Sequence, residues 1–233
     1  MVKAELIKRS PLRAFEKSIH GGLGKGNIGV LAARKGVGKT ACLVHISTDK
    51  LLQEKSVIHV SYARRVDYII RWYEDIFKEI AKKRKLESAM DVFDNIIKNR
   101  VIMNFTQDTA RTDRILQSVG ALIECGNIST DSIIVDGFDH TKSTTDDFKK
   151  FKEFAQRLDI EVWFSASLKG EEPLYDPQGM PNELKDYIAS IDVLITLSYQ
   201  DDHIHLSLVK DHDYPSPGDL KVKLDPKTLL ISE

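Results

Sequence analysis

The chain alternates short, almost wholly apolar runs with stretches whose apolar residues recur at helical spacing. That alternation restricts it to a sheet of mostly parallel strands covered by helices. The run "IGVLAA" at 28–33 opens the series, and "KSVIHVSYA", "RVIMNFT", "DSIIVDGFD" and "IEVWFSAS" continue it. Helices are predicted between them at 40–52, from Val66 onward, over 86–99, around Thr112 to Cys125 and at Thr145 to Leu158. In the helix from Val66, Ile69, Tyr73, Ile76, Phe77 and Ile80 share a face while Arg71, Glu74, Asp75, Lys78 and Glu79 take others. Thr144 or Thr145 starts the last helix, with Asp146 and Asp147 in its first turn. Beyond residue 168 a polar, Gly/Pro-rich loop leads to a short helix with Asn182 as its cap. From there "DVLITLSYQ", "HIHLSLVK" and "LKVKLDPKTLLIS" read as strands joined by short turns, "DPKT" being one. The expected class is α/β with C-terminal antiparallel strands, in one domain over 1–233 with residues 1–17 as a lead-in.

One junction carries a chemical pattern. "LAARKGVGKTACL" at 31–43 lies where the first apolar run meets the first helix, and Gly38, Lys39 and Thr40 fit a phosphate-binding loop whose first glycine is replaced by Ala33. At such a junction the backbone N–H groups of Lys35 to Thr40 converge on an anion, reinforced by the positive end of the helix. Lys39 would neutralise the outer phosphates, and the Thr40 hydroxyl would ligate Mg²⁺. Gly36 and Gly38 stand where the backbone must come closest to phosphate. Whether a methyl fits at Ala33 depends on its φ angle.

The second candidate group ends the run "SIIVD". Asp136 is expected at the C-terminal edge of a buried parallel strand, the edge where open α/β sheets bind ligands, and there it can hold the water shell of the same Mg²⁺. Asp139 competes for that role from beyond the strand's end. Ser165 and Ser167 could reach a γ-phosphate or its water, because their strand should neighbour that of Asp136. Cys42 and Cys125 read as reduced core residues in helices packed on the sheet. His203 and His205 alternate on one strand face and read as surface residues.

Charge narrows the partner classes. Lys plus Arg total 34 against 35 Asp plus Glu, so the net charge of -1 makes no electrostatic case for nucleic acid. Lys82 to Lys85 read as a solvated helix terminus, and the 168–185 loop sets Glu171, Glu172, Asp176 and Glu183 against Lys169 and Lys185, a poor phosphate surface. The opening "MVKAELIKRSPLRAF" has no apolar core of a leader, and no later stretch is long enough to span a bilayer. A cytoplasmic location without membrane contact is the expectation.

The order of pieces resembles the RecA-like P-loop ATPases, most closely the KaiC-like branch, from about Ser18 to Ile231. "HGGLGKGNIGVLAARKGVGKT", "IIVDG" and the tail "HIHLSLVKDHDYPSPG" carry the resemblance. It implies a RecA-like fold, ATP with Mg²⁺ as ligands and a homo-oligomer or protein partner. The nucleotide would lie on Arg34, Lys35, Gly36, Val37, Gly38, Lys39, Thr40 and Ala41, and the metal on Thr40 and Asp136. Ser165 would sense the γ-phosphate, and Lys210 would reach a neighbouring subunit's nucleotide. Base contacts are guesses among Tyr68, Trp72 and Tyr214.

The sequence departs from that family in one place. The strand after the loop helix typically ends there in glutamates that orient the attacking water, whereas "VIHVSYARRVDYI" puts Ala63 and Arg64 at those positions, the nearest carboxylate being Asp67. A nucleotide-binding regulatory or assembly module with weak ATPase activity is therefore expected. A competent oligomeric ATPase, with a substitute base such as Asp139, stands second, and a nucleic-acid motor or recombinase relative third.

Overall fold

The computed structural model describes residues 2–63, 65–86, 88–106, 111–126, 128–215 and 218–233. Two helices, α1 (Val2–Lys8) and α2 (Leu12–Ser18), precede β1 (Ile28–Ala33) and α3 (Lys39–Leu52). Then come β2 (Val57–Ser61), α4 (Val66–Arg84), α5 (Ala89–Ile96), β3 (Arg100–Asn104), α6 (Thr112–Glu124), β4 (Ser132–Asp136), α7 (Thr145–Leu158) and β5 (Glu161–Ser167). A 3-10 helix (Asn182–Ser190) leads into β6 (Val193–Gln200), β7 (His203–Asp211), β8 (Lys223–Leu224) and β9 (Ile231–Ser232). The described residues form one sheet in the order β3-β2-β4-β5-β1-β6-β7-β8-β9, parallel from β3 through β6 and antiparallel beyond. This is the expected α/β architecture.

Each half of the pattern is covered by its own core. Leu31 and Ala33 of β1 face α3, α4 and the small helices α1 and α2, whereas Val30 and Ala32 face the core that includes Val119 of α6 and Phe148, Phe151 and Phe154 of α7. Burial of β1, β2 and β4 is complete along their length, which is why they read as continuous apolar runs. The lead-in takes part in this packing: Leu6, Leu12 and Phe15 are buried in the first core. The chain leaves β1 on one face, into α3, and β4 on the other, towards α7, the arrangement in which open α/β sheets place a ligand crevice at the C-terminal strand ends.

Local chemistry sets the element ends. Thr144, rather than Thr145, caps α7 through a capping box: its hydroxyl accepts from the Asp147 N–H, and the Asp147 carboxylate accepts from the Thr144 N–H at 2.8 Å. Such a cap is worth about 1 kcal/mol. Asn182 is not the cap expected of it. Pro181 holds that position, and the Asn182 amide donates to the Pro173 carbonyl at 2.8 Å, bracing the preceding loop. The strand read at 55–63 is shorter, Val57–Ser61, although the Tyr62 N–H still donates to the Asp136 carbonyl at 3.1 Å. Cys42 is buried as expected, but Cys125 is exposed at the end of α6, where the helical period runs out before it can face the sheet.

Gly29 makes room for the side chain of its partner on the neighbouring strand, Trp163 of β5. A Cβ there would lie 2.4 Å from Cε3 of Trp163, itself buried on β5. Gly29→Ala is expected to destabilise the protein by about 2–3 kcal/mol, a fall of roughly 5–10 °C in Tm, read by calorimetry.

Two buried histidines set the acid limit of stability. His45 of α3 accepts the Ile231 N–H at 3.0 Å through Nδ1, tying β9 to α3; burial first, then the Lys83 charge, push its pKa down from 6.5 to about 3. His59 of β2 falls to about 4, by burial and the Arg100 charge against the pull of Asp136. Both folded-state values lie below the unfolded one, so unfolding takes up protons: the stability is complete above the ordinary histidine pKa and is lost as pH falls below it. The expected loss is roughly 3 kcal/mol for each histidine by about pH 4. Urea midpoints across the range would measure it, and His45→Asn, which keeps an acceptor for Ile231, should flatten the slope.

Candidate functional site

The question posed by Ala33 is answered by its backbone. It is a regular, fully buried β1 residue paired with Ser167, outside the left-handed region, so its methyl meets no penalty. The left-handed positions lie further along the loop, at Gly36 with φ +88° and Gly38 with φ +112°. Gly38 is doubly constrained, because a Cβ there would come within 2.4 Å of Leu224 Cδ2. Val37 anchors the loop in the core, while Arg34, Lys35 and Gly36 are exposed. Ala41 is buried within the first turn of α3 and offers only its backbone amide.

Lys39 opens α3 and folds back over the loop. Its ammonium donates to the carbonyls of Ala33 and Arg34, each at 2.9 Å, and is only 7% exposed. Burial pushes its pKa down from 10.5 to about 8, with the Asp136 carboxylate pulling the other way. A cation held so poorly solvated has much to gain from an anion placed over the loop. Beside it, the Thr40 hydroxyl donates to Asp136 at 2.9 Å. The Ser165 hydroxyl donates to Asp136 at 2.6 Å and accepts from the Gly137 N–H at 2.8 Å. Strands β4 and β5 are neighbours as expected, which is what brings Asp136 and Ser165 together.

The remaining candidates lie apart from this group. Lys210 pairs across the ladder with Leu194 near the start of β6, and its ammonium turns to the carbonyls of Ile188 and Ile191 at the sheet edge opposite Lys39. Asp139 is tied to Lys169 and Thr141 at 2.8 and 2.7 Å; burial raises its pKa, but these hydrogen bonds outweigh it and hold it below 3.8. Ala63 is half-buried, with its N–H on the Ser61 hydroxyl, and Asp67 is paired with Arg65. Arg64 lies outside the described residues. Tyr68 and Trp72 meet edge-on beside a cavity of about 480 Å³ walled also by Leu229. Tyr214 is not with them: it stacks on His20 beyond the far end of β7. His203 and His205 share one face of β7 with ring centroids 6.4 Å apart. Among the described residues no group of three or more His, Cys, Asp and Glu could hold a metal ion by itself.

Two contacts had no signal in the sequence. Glu183, on the 3-10 helix, accepts from the Lys169 N–H at 2.7 Å and from the Gly170 N–H, and lies 2.9 Å from the buried His140. Arg34 of the loop is bridged to Glu172 at 2.8 Å. Both join segments more than ten residues apart through single side chains, which no periodicity reports.

No family model matches the chain, and no curated protein matches it. Among the described residues no helix is long and apolar enough to cross a membrane.

Proposed function

We propose that the protein binds Mg-ATP at the C-terminal edge of β1 and β4 and acts as a nucleotide-dependent regulatory or assembly module with weak ATPase activity, as a RecA-like P-loop protein similar to the KaiC-like branch. The observation that carries the reading is the convergence of Lys39, Thr40, Asp136 and Ser165 at one crevice. Arg34 to Ala41 would wrap the phosphates, with Lys39 exchanging two neutral carbonyls for an anion. The Thr40 hydroxyl and the buried Asp136 carboxylate are hard oxygen donors within 2.9 Å of one another, a set that suits Mg²⁺ completed by phosphate and water. Bound there, the ion would offset phosphate charge. The rings of Tyr68 and Trp72, which line a cavity with Leu229, would offer an apolar surface for a base.

Weak hydrolysis rests on the surroundings of the crevice. Among the described residues at the end of β2, Ala63 has no basic group, Asp67 is paired with Arg65, and across the crevice Asp139 is paired with Lys169. A base held in an ion pair is a poorer proton acceptor. Equilibrium binding of ATP with and without Mg²⁺, followed by single-turnover hydrolysis of the bound nucleotide, tests both parts. Tight, magnesium-dependent binding with slow turnover is expected; no binding at millimolar ATP would overturn the proposal.

A further inference from the structure

At the sheet edge opposite Lys39, two histidines share one buried carboxylate. His20 follows α2 with φ +53° and sets its Nδ1 2.6 Å from Asp211 Oδ2; His212, with φ +50°, sets its Nδ1 2.7 Å from Asp211 Oδ1. Asp211 is wholly buried. The other ring nitrogen of His212 lies 3.0 Å from the carbonyl of Leu23. His212 therefore faces an acceptor at each nitrogen. A neutral imidazole has one N–H and can satisfy only one of them; the imidazolium donates to both.

The surroundings favour that charge. The backbone N–H of His212 donates to the Asp192 carbonyl at 2.6 Å, and the Asp192 carboxylate takes Lys152 of α7 and the Ile28 N–H. Asp213 follows in sequence, Lys210 points away to Ile188 and Ile191, and Lys25 of the turn is bound to Asp159. Tyr214 stacks on His20 with centroids 3.6 Å apart, closing the group on its outer side. Burial works against the His212 charge, but the bonds to Leu23 and Asp211 carry its pKa above 6.5.

These contacts hold a turn that has another task. Gly21 to Lys25 form one wall of a cavity of about 360 Å³, whose other walls include Arg13, Asp49, Lys50, Glu161 and Trp163. Gly21, Gly22 and Gly24 all have positive φ, so the turn has little stiffness of its own. We propose that His20, Asp211 and His212 form a proton-operated latch, in which the imidazolium of His212 pins the glycine turn over this cavity and loss of its proton releases the turn. The latch is closed at and below the ordinary histidine range and opens as pH rises through the folded-state value, the direction opposite to His45 and His59.

Amide hydrogen exchange over residues 19–25, corrected for the intrinsic pH dependence, reads the latch directly. Protection in the native chain should fall about ten-fold between about pH 6 and pH 9, while in His212→Asn, whose side chain tolerates the left-handed backbone, it should be low and independent of pH. Equal protection at both ends of the range, or the same pH step in His212→Asn, overturns the proposal. Should that variant fail to fold, ¹⁵N spectra of the native imidazoles decide: two N–H groups on His212 near neutral pH support the latch, and a single N–H tautomer at about pH 6 overturns it.

Discussion

Replacing Lys39 with Ala is expected to weaken Mg-ATP binding by roughly 10- to 150-fold, because it removes the one buried cation of the 34–40 segment, and a charge-assisted contact to phosphate contributes about 1.5–3 kcal/mol. Isothermal calorimetry on the native chain and the variant measures it, with the melting curve as the check that α3 still forms. The native chain should also show a pH signature. Its free-state pKa is about 8, lowered by burial. Bound phosphate favours the protonated amine and raises that value, so binding takes up a proton above about pH 8. Affinity should then fall about ten-fold per pH unit beyond that point. Titration in two buffers of different ionisation enthalpy would detect the proton. Affinity in Lys39→Ala equal to that of the native chain would remove the phosphate site from this crevice.

Ala63→Glu is expected to raise single-turnover hydrolysis by on the order of 10²-fold or more without strengthening binding, since a positioned general base contributes that much. Ala63 lies just past β2, whose last residue, Ser61, is in register with Asp136 on the neighbouring strand. A carboxylate there would stand past the end of β2, which flanks β4 on the side opposite the strand of Ser165. The comparison with Lys39→Ala separates the two requirements. A loss of binding lowers turnover below saturating nucleotide, whereas a missing base limits the rate of the bound nucleotide and leaves binding intact. An unchanged rate in Ala63→Glu would mean that the missing glutamate does not limit the chemistry.

The residues of the candidate site differ in how legible they were in the sequence. Lys39 and Thr40 open the helix that follows one apolar run and Asp136 ends another, and a strand buried on both faces announces itself by composition. Ser165 needed one further step, the adjacency of β4 and β5, which the alternation of elements suggested and the ladder bears out. Cys125 and Asn182 went astray for local reasons: one falls just beyond the last turn of α6, the other yields the cap position to Pro181. Lys210, which the resemblance sets against a neighbouring subunit's nucleotide, donates to two carbonyls within its own chain, and Tyr214 stacks on His20 away from Tyr68 and Trp72.

By itself the sequence determined the class of the fold, the order of strands and helices from β1 onward, and the glycine-bearing junction between β1 and α3. Those follow from burial period, helix starts and glycine positions, all of which act over a few neighbouring residues. Only the tertiary structure decided the φ of Ala33, the retreat of Lys39 onto the Ala33 and Arg34 carbonyls, the pairing of Asp139 with Lys169, and the meeting of His20 with Asp211 and His212. Each depends on how far one strand end lies from another in the folded sheet. His20 and Asp211 are 191 residues apart in the chain and 2.6 Å apart in space, a contact made by the placement of β7 beyond β1 and β6 and by no pattern along the chain.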